Sequence, residues 1–143
     1  MVVLVTFLAL QAVPRGRDHS NPAVHSEPVW ADARTRELAA RACFDCHSNE
    51  TDWPWYSYVA PVSWIVEDDV KRGREILNFS EWERIVRSGH TLEPFAVVVL
   101  GDRSMPPPNY LAMHPEARLS ETERDELVEG LQRTMSNSTG QFE

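Results

Sequence analysis

Cysteine is nearly missing from this chain of 143 residues: there are two, Cys43 and Cys46. Two thiols cannot furnish a four-cysteine metal site, and once both are otherwise engaged none remains for a disulfide. A membrane-length apolar run is also lacking. The most apolar stretch, Met1 to Val13, falls short of the roughly 20 residues that a spanning helix needs. Positive charge is scarce, with 14 Lys and Arg against 22 Asp and Glu and a net charge of -8. That balance argues against nucleic acid and against an anionic membrane surface as partners, and it favours a basic docking face on another protein. No internal repeat is visible, and no period-2 strand pattern apart from Val97-Val98-Val99. The remaining composition, 42% hydrophobic and 25% charged, is that of one soluble globular domain with flexible ends.

Helical periodicity fills most of what is left. Ala31 to Cys43 is rich in helix formers, with Leu38, Ala39 and Ala42 on one side. Val62, Val66 and Val70 recur at i, i+4, i+8. Ser80 and Glu83 form a capping-box pattern ahead of Trp82, Ile85 and Val86, with Gly89 as a stop. Thr91 and Pro94 open a segment in which Leu92, Phe95, Ala96, Val99 and Leu100 keep helical spacing up to Gly101. A second capping box, Ser120 and Glu123, precedes Leu127, Val128, Leu131 and Met135. The expectation is an all-α domain of about five short helices. Its boundaries read as a hydrophobic segment at 1–13, a linker at 14–28 rich in Pro, Ser and Asn, a domain at 29–135 and a flexible tail at 136–143.

Both cysteines belong to the pentapeptide Cys43-Phe44-Asp45-Cys46-His47. A C-x-x-C-H sequence reads as a c-type haem attachment site. Residues three apart on a helical turn share a face, so two thiols so placed can bond both vinyl groups of one porphyrin. His47 then lies beneath the iron as its proximal ligand. Attachment of such a haem takes place outside the cytoplasm. Residues 1–13, followed at once by Arg15 and Arg17, are therefore read as a truncated signal or membrane anchor, although they lack the positive n-region and cleavage site of a signal peptide; the alternative is a helix packed on the domain. The protein is expected to be exported, periplasmic or on the outer face of a bacterial cytoplasmic membrane.

A second axial ligand must come from elsewhere, and Met105, Met113, His90 and His114 are the candidates. Met105 precedes Pro106-Pro107-Pro108, which stiffens the backbone that carries it. It is the preferred ligand, with His114 as its rival. Trp53, Trp55, Tyr56, Tyr58 and Trp64 crowd the stretch after the pentapeptide. Aromatic rings bury a porphyrin face well, so Trp55, Tyr56 and Trp64 are candidate pocket residues. Tyr56, Trp64, Arg72, Arg74 and Asn78 are chemically able to donate to haem propionates.

Beyond the pentapeptide, the chain carries Arg41-Ala42 before it and Ser48-Asn49-Glu50-Thr51 after it, then Trp53-Pro54-Trp55-Tyr56-Ser57 and Ala60-Pro61-Val62-Ser63-Trp64. Gly73-Arg74, Asn78-Phe79-Ser80-Glu81-Trp82, Met105-Pro106-Pro107, His114-Pro115 and Leu119-Ser120 come after these. With these motifs the chain resembles the haem-binding-domain family of bacterial cytochrome c-like proteins over roughly Glu27 to Gln132. The resemblance implies a cytochrome c-like helical fold, one covalently bound haem c per chain, His47 as proximal ligand and Met105 as distal ligand.

The leading functional expectation is a monohaem c-type cytochrome that transfers single electrons to redox partner proteins, a monomer and not an enzyme. His/Met ligation closes both axial positions and raises the reduction potential. A haem-based redox or gas sensor would need Met105 to exchange. A peroxidase would need an open distal position with an acid–base group beside it, and neither His114 nor Glu93 is singled out by spacing. A zinc site on Cys43, Cys46 and two histidines would leave the aromatic cluster unexplained. A thioredoxin-like pair lacks its βαβ context.

Overall fold

The helical periodicity becomes seven α-helices and two short 3-10 turns among the described residues, 1–88 and 100–138 of this computed structural model. Those residues hold no strand; their one β pairing is an isolated bridge between Ser26 and Glu81. Helix α1 (Val2–Gln11) is apolar on every side and has no buried residue. No helix of the described residues is long and apolar enough to cross a membrane.

Helix α2 (Ala33–Ala42) starts where the Asp32 carboxylate accepts the Thr35 N–H at 2.7 Å. It buries Thr35, Leu38, Ala39 and Ala42 at the spacing of one helical face. Its partner is the last helix, α7 (Glu121–Ser138). The two approach closely at Gly130, where a Cβ would lie 2.0 Å from the Thr35 hydroxyl oxygen. Leu38, Ala39 and Ala42 meet Leu127, Leu131, Phe79, Trp82, Ile85, Leu100 and Leu119 in a single core. The Ser120–Glu123 capping box forms reciprocally: Ser120 N–H donates to the Glu123 carboxylate at 3.0 Å, and Glu123 N–H to the Ser120 hydroxyl at 3.2 Å. Polar composition predicts fraying from Ser136, yet α7 runs on to Ser138. The buried Ser138 hydroxyl accepts the Trp82 indole N–H at 2.8 Å and donates to Thr134 O.

Two local expectations need correction. Ser80 does not cap helix α5 (Trp82–Arg87). Its hydroxyl accepts Asn49 N–H, and Glu83 N–H is capped by the Ser26 hydroxyl at 3.0 Å. Ser26 arrives from residues 14–28, which hydrogen-bond along the body of the domain. Asn21 donates to Thr51 O, Asn49 to Ala23 O, and the His25 and Ser26 N–H groups to Ser80 O. In α4 (Val62–Ile76) the buried stripe is Ser63, Val70 and Gly73, while Val62 is 42% exposed. The face is set by how closely α4 meets its neighbour at Gly73, and this rotates the valine stripe partly outward. Of the helix expected over 91–101, Leu100 and Gly101 are helical and Leu100 is buried. The rest, with His90, Glu93 and the valine run, lies outside the described residues.

Candidate functional site

The pentapeptide does not continue α2. Cys43 leaves helical geometry at φ -126°, ψ -30° and serves both as C-cap of α2 and N-cap of the single turn α3 (Phe44–His47). Its carbonyl accepts Cys46 N–H at 3.2 Å and His47 N–H at 2.9 Å. Cys43, Cys46 and His47 thus share one turn and one face. Phe44, off that face, is buried in an aromatic row: its ring lies 5.5 Å from Phe79, and Phe79 lies 5.9 Å from Trp82. His47 O accepts Phe79 N–H at 2.8 Å. The core thereby fixes α3 from behind.

The His47 ring is oriented by backbone alone. Its Nδ1–H donates to Gly73 O and Leu77 O, both at 3.1 Å. Burial holds the imidazole below its ordinary value of 6.5, against the two carbonyl bonds that favour the charged form. The ring is therefore neutral at neutral pH, with the proton on Nδ1 and a lone pair on Nε2. Nε2 makes no hydrogen bond among the described residues. A carbonyl on Nδ1 with a bare Nε2 is how proteins aim a histidine at a metal. The approach that allows it is Gly73, where a Cβ would stand 2.2 Å from the Cys46 carbonyl oxygen. Cys43 and Cys46 are free thiols, and burial pushes both up to about 12.

Among the described residues no hydrogen bond or ring contact joins Met105, His114, Trp55, Tyr56 or Trp64 to Cys43, Cys46 or His47. Met105 is 38% exposed, and its carbonyl accepts from the Arg124 guanidinium at 3.2 Å. His114 has both ring nitrogens engaged: Nδ1 with Glu116 at 3.0 Å and Nε2 with the Tyr56 hydroxyl at 2.6 Å. The aromatic cluster divides. Trp55 is 75% exposed on the 3-10 turn Trp55–Tyr58, Trp53 and Tyr58 flank the His19 ring, and Tyr56 faces His114. Trp64 is half-buried, and its indole N–H is covered without a hydrogen-bond partner among the described residues. Of the other donors considered, Arg74 is committed to Ser48 O, Ser20 O, Asn21 and Thr51, Asn78 to Asn49, and Arg72 to Asp68. Sequence reasoning did not single out Gly73 as the contact that seats His47, nor Tyr110, whose hydroxyl donates to Asp45 inside the pentapeptide at 2.7 Å. A glycine inside a helix, costing about 1 kcal/mol against alanine, is a signal that a close contact is needed there.

A cleft of about 410 Å³ opens between the foot of α1 and the domain, lined in part by Gln11, Arg15, His19, Tyr58 and Ser63. None of Cys43, Cys46 and His47 lines it. No cluster of His, Cys, Asp and Glu able to hold a bare metal ion occurs among the described residues. A donor set of two thiols and one aimed histidine suits a metal that brings its own remaining ligands.

No curated protein and no solved structure matches the chain. The sequence model of the haem-binding domain matches residues 5–133, nine-tenths of the length and the whole of the site just described. The chain belongs to the haem-binding-domain family, and its cofactor is haem.

Proposed function

We propose that the protein is a monohaem c-type cytochrome of cytochrome c-like fold that carries single electrons. The observation that carries this reading is the pairing of two thiols with a neutral His47 whose Nδ1–H is held by Gly73 O and Leu77 O. The residues present fit the group. Cys43 and Cys46 would hold the group through two thioether bonds, and His47 Nε2 would bind its iron. When bound, the haem supplies an iron that alternates between two oxidation states one electron apart. The protein contributes burial, ligand identity and a docking surface. Met105 is the distal ligand in this reading. His114 would have to give up bonds to both Tyr56 and Glu116 before it could take that place.

The acidic surface, at a net charge of -8, suits a redox partner with a basic docking face. The exposed apolar helix α1 suits a tether at a membrane on the exported side. The domain itself works as a monomer.

The test is the visible spectrum of protein matured with haem, as wild type and as Met105→Ala. The expected wild type is low-spin, with the weak red-end band of a methionine–iron bond when oxidised, and the variant loses that band. Haem that stays on the chain in a denaturing gel establishes the thioethers, and haem lost there removes the c-type reading. The half-exposed Met105 is the one feature that favours a sensor, in which an external ligand displaces the methionine. Carbon monoxide binding to the reduced wild type would select it.

A further inference from the structure

Met105 is held only in part by burial: the residue is 38% exposed, and its carbonyl is tied to α7 through Arg124. The chain just beyond it is fastened quite differently. Helix α6 (Pro108–Met113) carries Tyr110, whose hydroxyl donates to Asp45 Oδ2 at 2.7 Å. Asp45 lies between the two cysteines and is itself fixed, because its other carboxylate oxygen accepts Asp52 N–H at 3.0 Å. Directly after α6, His114 stacks on the Tyr110 ring, with centroids 4.2 Å apart and planes at 8°. Glu116, held ionised by its hydrogen bonds and by His114, accepts from Nδ1. Nε2 pairs with the Tyr56 hydroxyl at 2.6 Å. Two bonds therefore join the 105–114 segment to the rest of the site, one to the pentapeptide and one to the 3-10 turn. They share a stacked pair of rings, so each holds the other in register.

We infer that Tyr110 and His114 form a latch, through Asp45 and Tyr56, that holds the Met105 segment against the haem attachment motif. The inference deepens the reading of Met105 as distal ligand and rests on it for what the latch accomplishes. A thioether is a neutral, weak ligand, so its residence on a metal depends on how rarely the segment carrying it swings away. Tyr110 is a positioning residue in this scheme and touches no reacting atom. Its bond to Asp45 Oδ2, at 2.7 Å, is the direct tie between the segment and the pentapeptide.

The experiment compares haem-loaded wild type with Tyr110→Phe, Asp45→Ala and Asp45→Asn. Three quantities are read: imidazole affinity of the oxidised form, amide hydrogen exchange over 105–113, and the urea midpoint. Tyr110→Phe and Asp45→Ala should bind imidazole about tenfold more tightly, because the methionine leaves more often, and should exchange faster over 105–113. Asp45→Asn leaves one oxygen for two donors, the Tyr110 O–H and the Asp52 N–H, and should fall between wild type and Asp45→Ala, which a merely structural carboxylate would not predict. Affinity and exchange unchanged in Tyr110→Phe overturn the latch. So does an Asp45→Asn as damaged as Asp45→Ala, or a fall in the urea midpoint that accounts for the whole change. If wild type lacks the methionine band, the reading of Met105 falls on its own. Exchange over 105–113 then decides the latch, faster in Tyr110→Phe for it and unchanged against it.

Discussion

At the scale of single residues, the pentapeptide was legible because its chemistry is local: three donor side chains within one turn need no knowledge of the fold. What aims His47 was not legible, because both acceptors are backbone carbonyls and any residue supplies one. Only Gly73 left a trace, as a glycine inside α4, and the trace becomes meaningful once the Cys46 carbonyl is seen 2.2 Å from its would-be Cβ. Backbone cannot swing aside as a side-chain tip can, so Gly73→Ala must push α4 away from α3. The expected cost is about 2 kcal/mol in the haem-free chain, as for other overpacked contacts. Haem loading should fall as well, since Gly73 O retreats from Nδ1 and the ring loses its orientation. Urea unfolding and a haem stain per unit protein measure the two effects. A variant with the stability of wild type and full haem content would show that the approach at Gly73 does not seat the histidine.

At the scale of elements, the two capping-box patterns show where sequence reasoning holds. Ser120–Glu123 forms because nothing distant competes for either partner's cap bond. Ser80–Glu83 does not, because Ser26, from a segment whose composition suggests only a linker, reaches Glu83 N–H while Ser80 is taken by Asn49. The local pattern was right about where a helix begins and silent about which hydroxyl begins it. Glu123 does more than cap α7: its carboxylate pairs with Arg34 at 3.1 Å and Arg41 at 2.7 Å on α2. The Ser120 N–H, and then the Arg41 guanidinium, hold it down at about 2, against an ordinary value of 4.5. The unfolded chain takes up this proton near the ordinary value, while the folded one resists until about 2. The stability Glu123 contributes is therefore complete above that ordinary value and is lost as pH falls through about 2. Glu123→Gln should be less stable than wild type at pH 7, with the gap closing through that acid window, and urea midpoints at several pH values check it. A gap that persists unchanged at the acid end would mean that the carboxylate's charge does not join α2 to α7.

At the scale of the whole molecule, all-α architecture followed from periodicity, and Trp82 sits in the core. The attachment of the N-terminal stretch was beyond periodicity, because it rests on scattered polar contacts. The Gln11 amide donates to Ala60 O and accepts Ala60 N–H, each at 3.0 Å, and Arg15 lies 3.9 Å from Asp68. These contacts clamp the foot of α1 and leave Val2 to Leu10 with no buried side chain. An apolar helix so held is fixed to the domain at its foot and exposed along its length; in the proposed reading of α1 as a tether it adds nothing to the core. Deleting residues 2–10 while keeping Gln11 should leave haem content and spectrum as in the full chain. The urea midpoint should move by no more than the equivalent of about 0.5 kcal/mol, as for surface changes generally. Association with the membrane fraction of expressing cells should disappear in the same variant. Loss of haem on deletion would instead make α1 part of the domain's own packing. Unchanged membrane association would move the tether to another surface, with the exposed Trp55 and Tyr58 as the next residues to test.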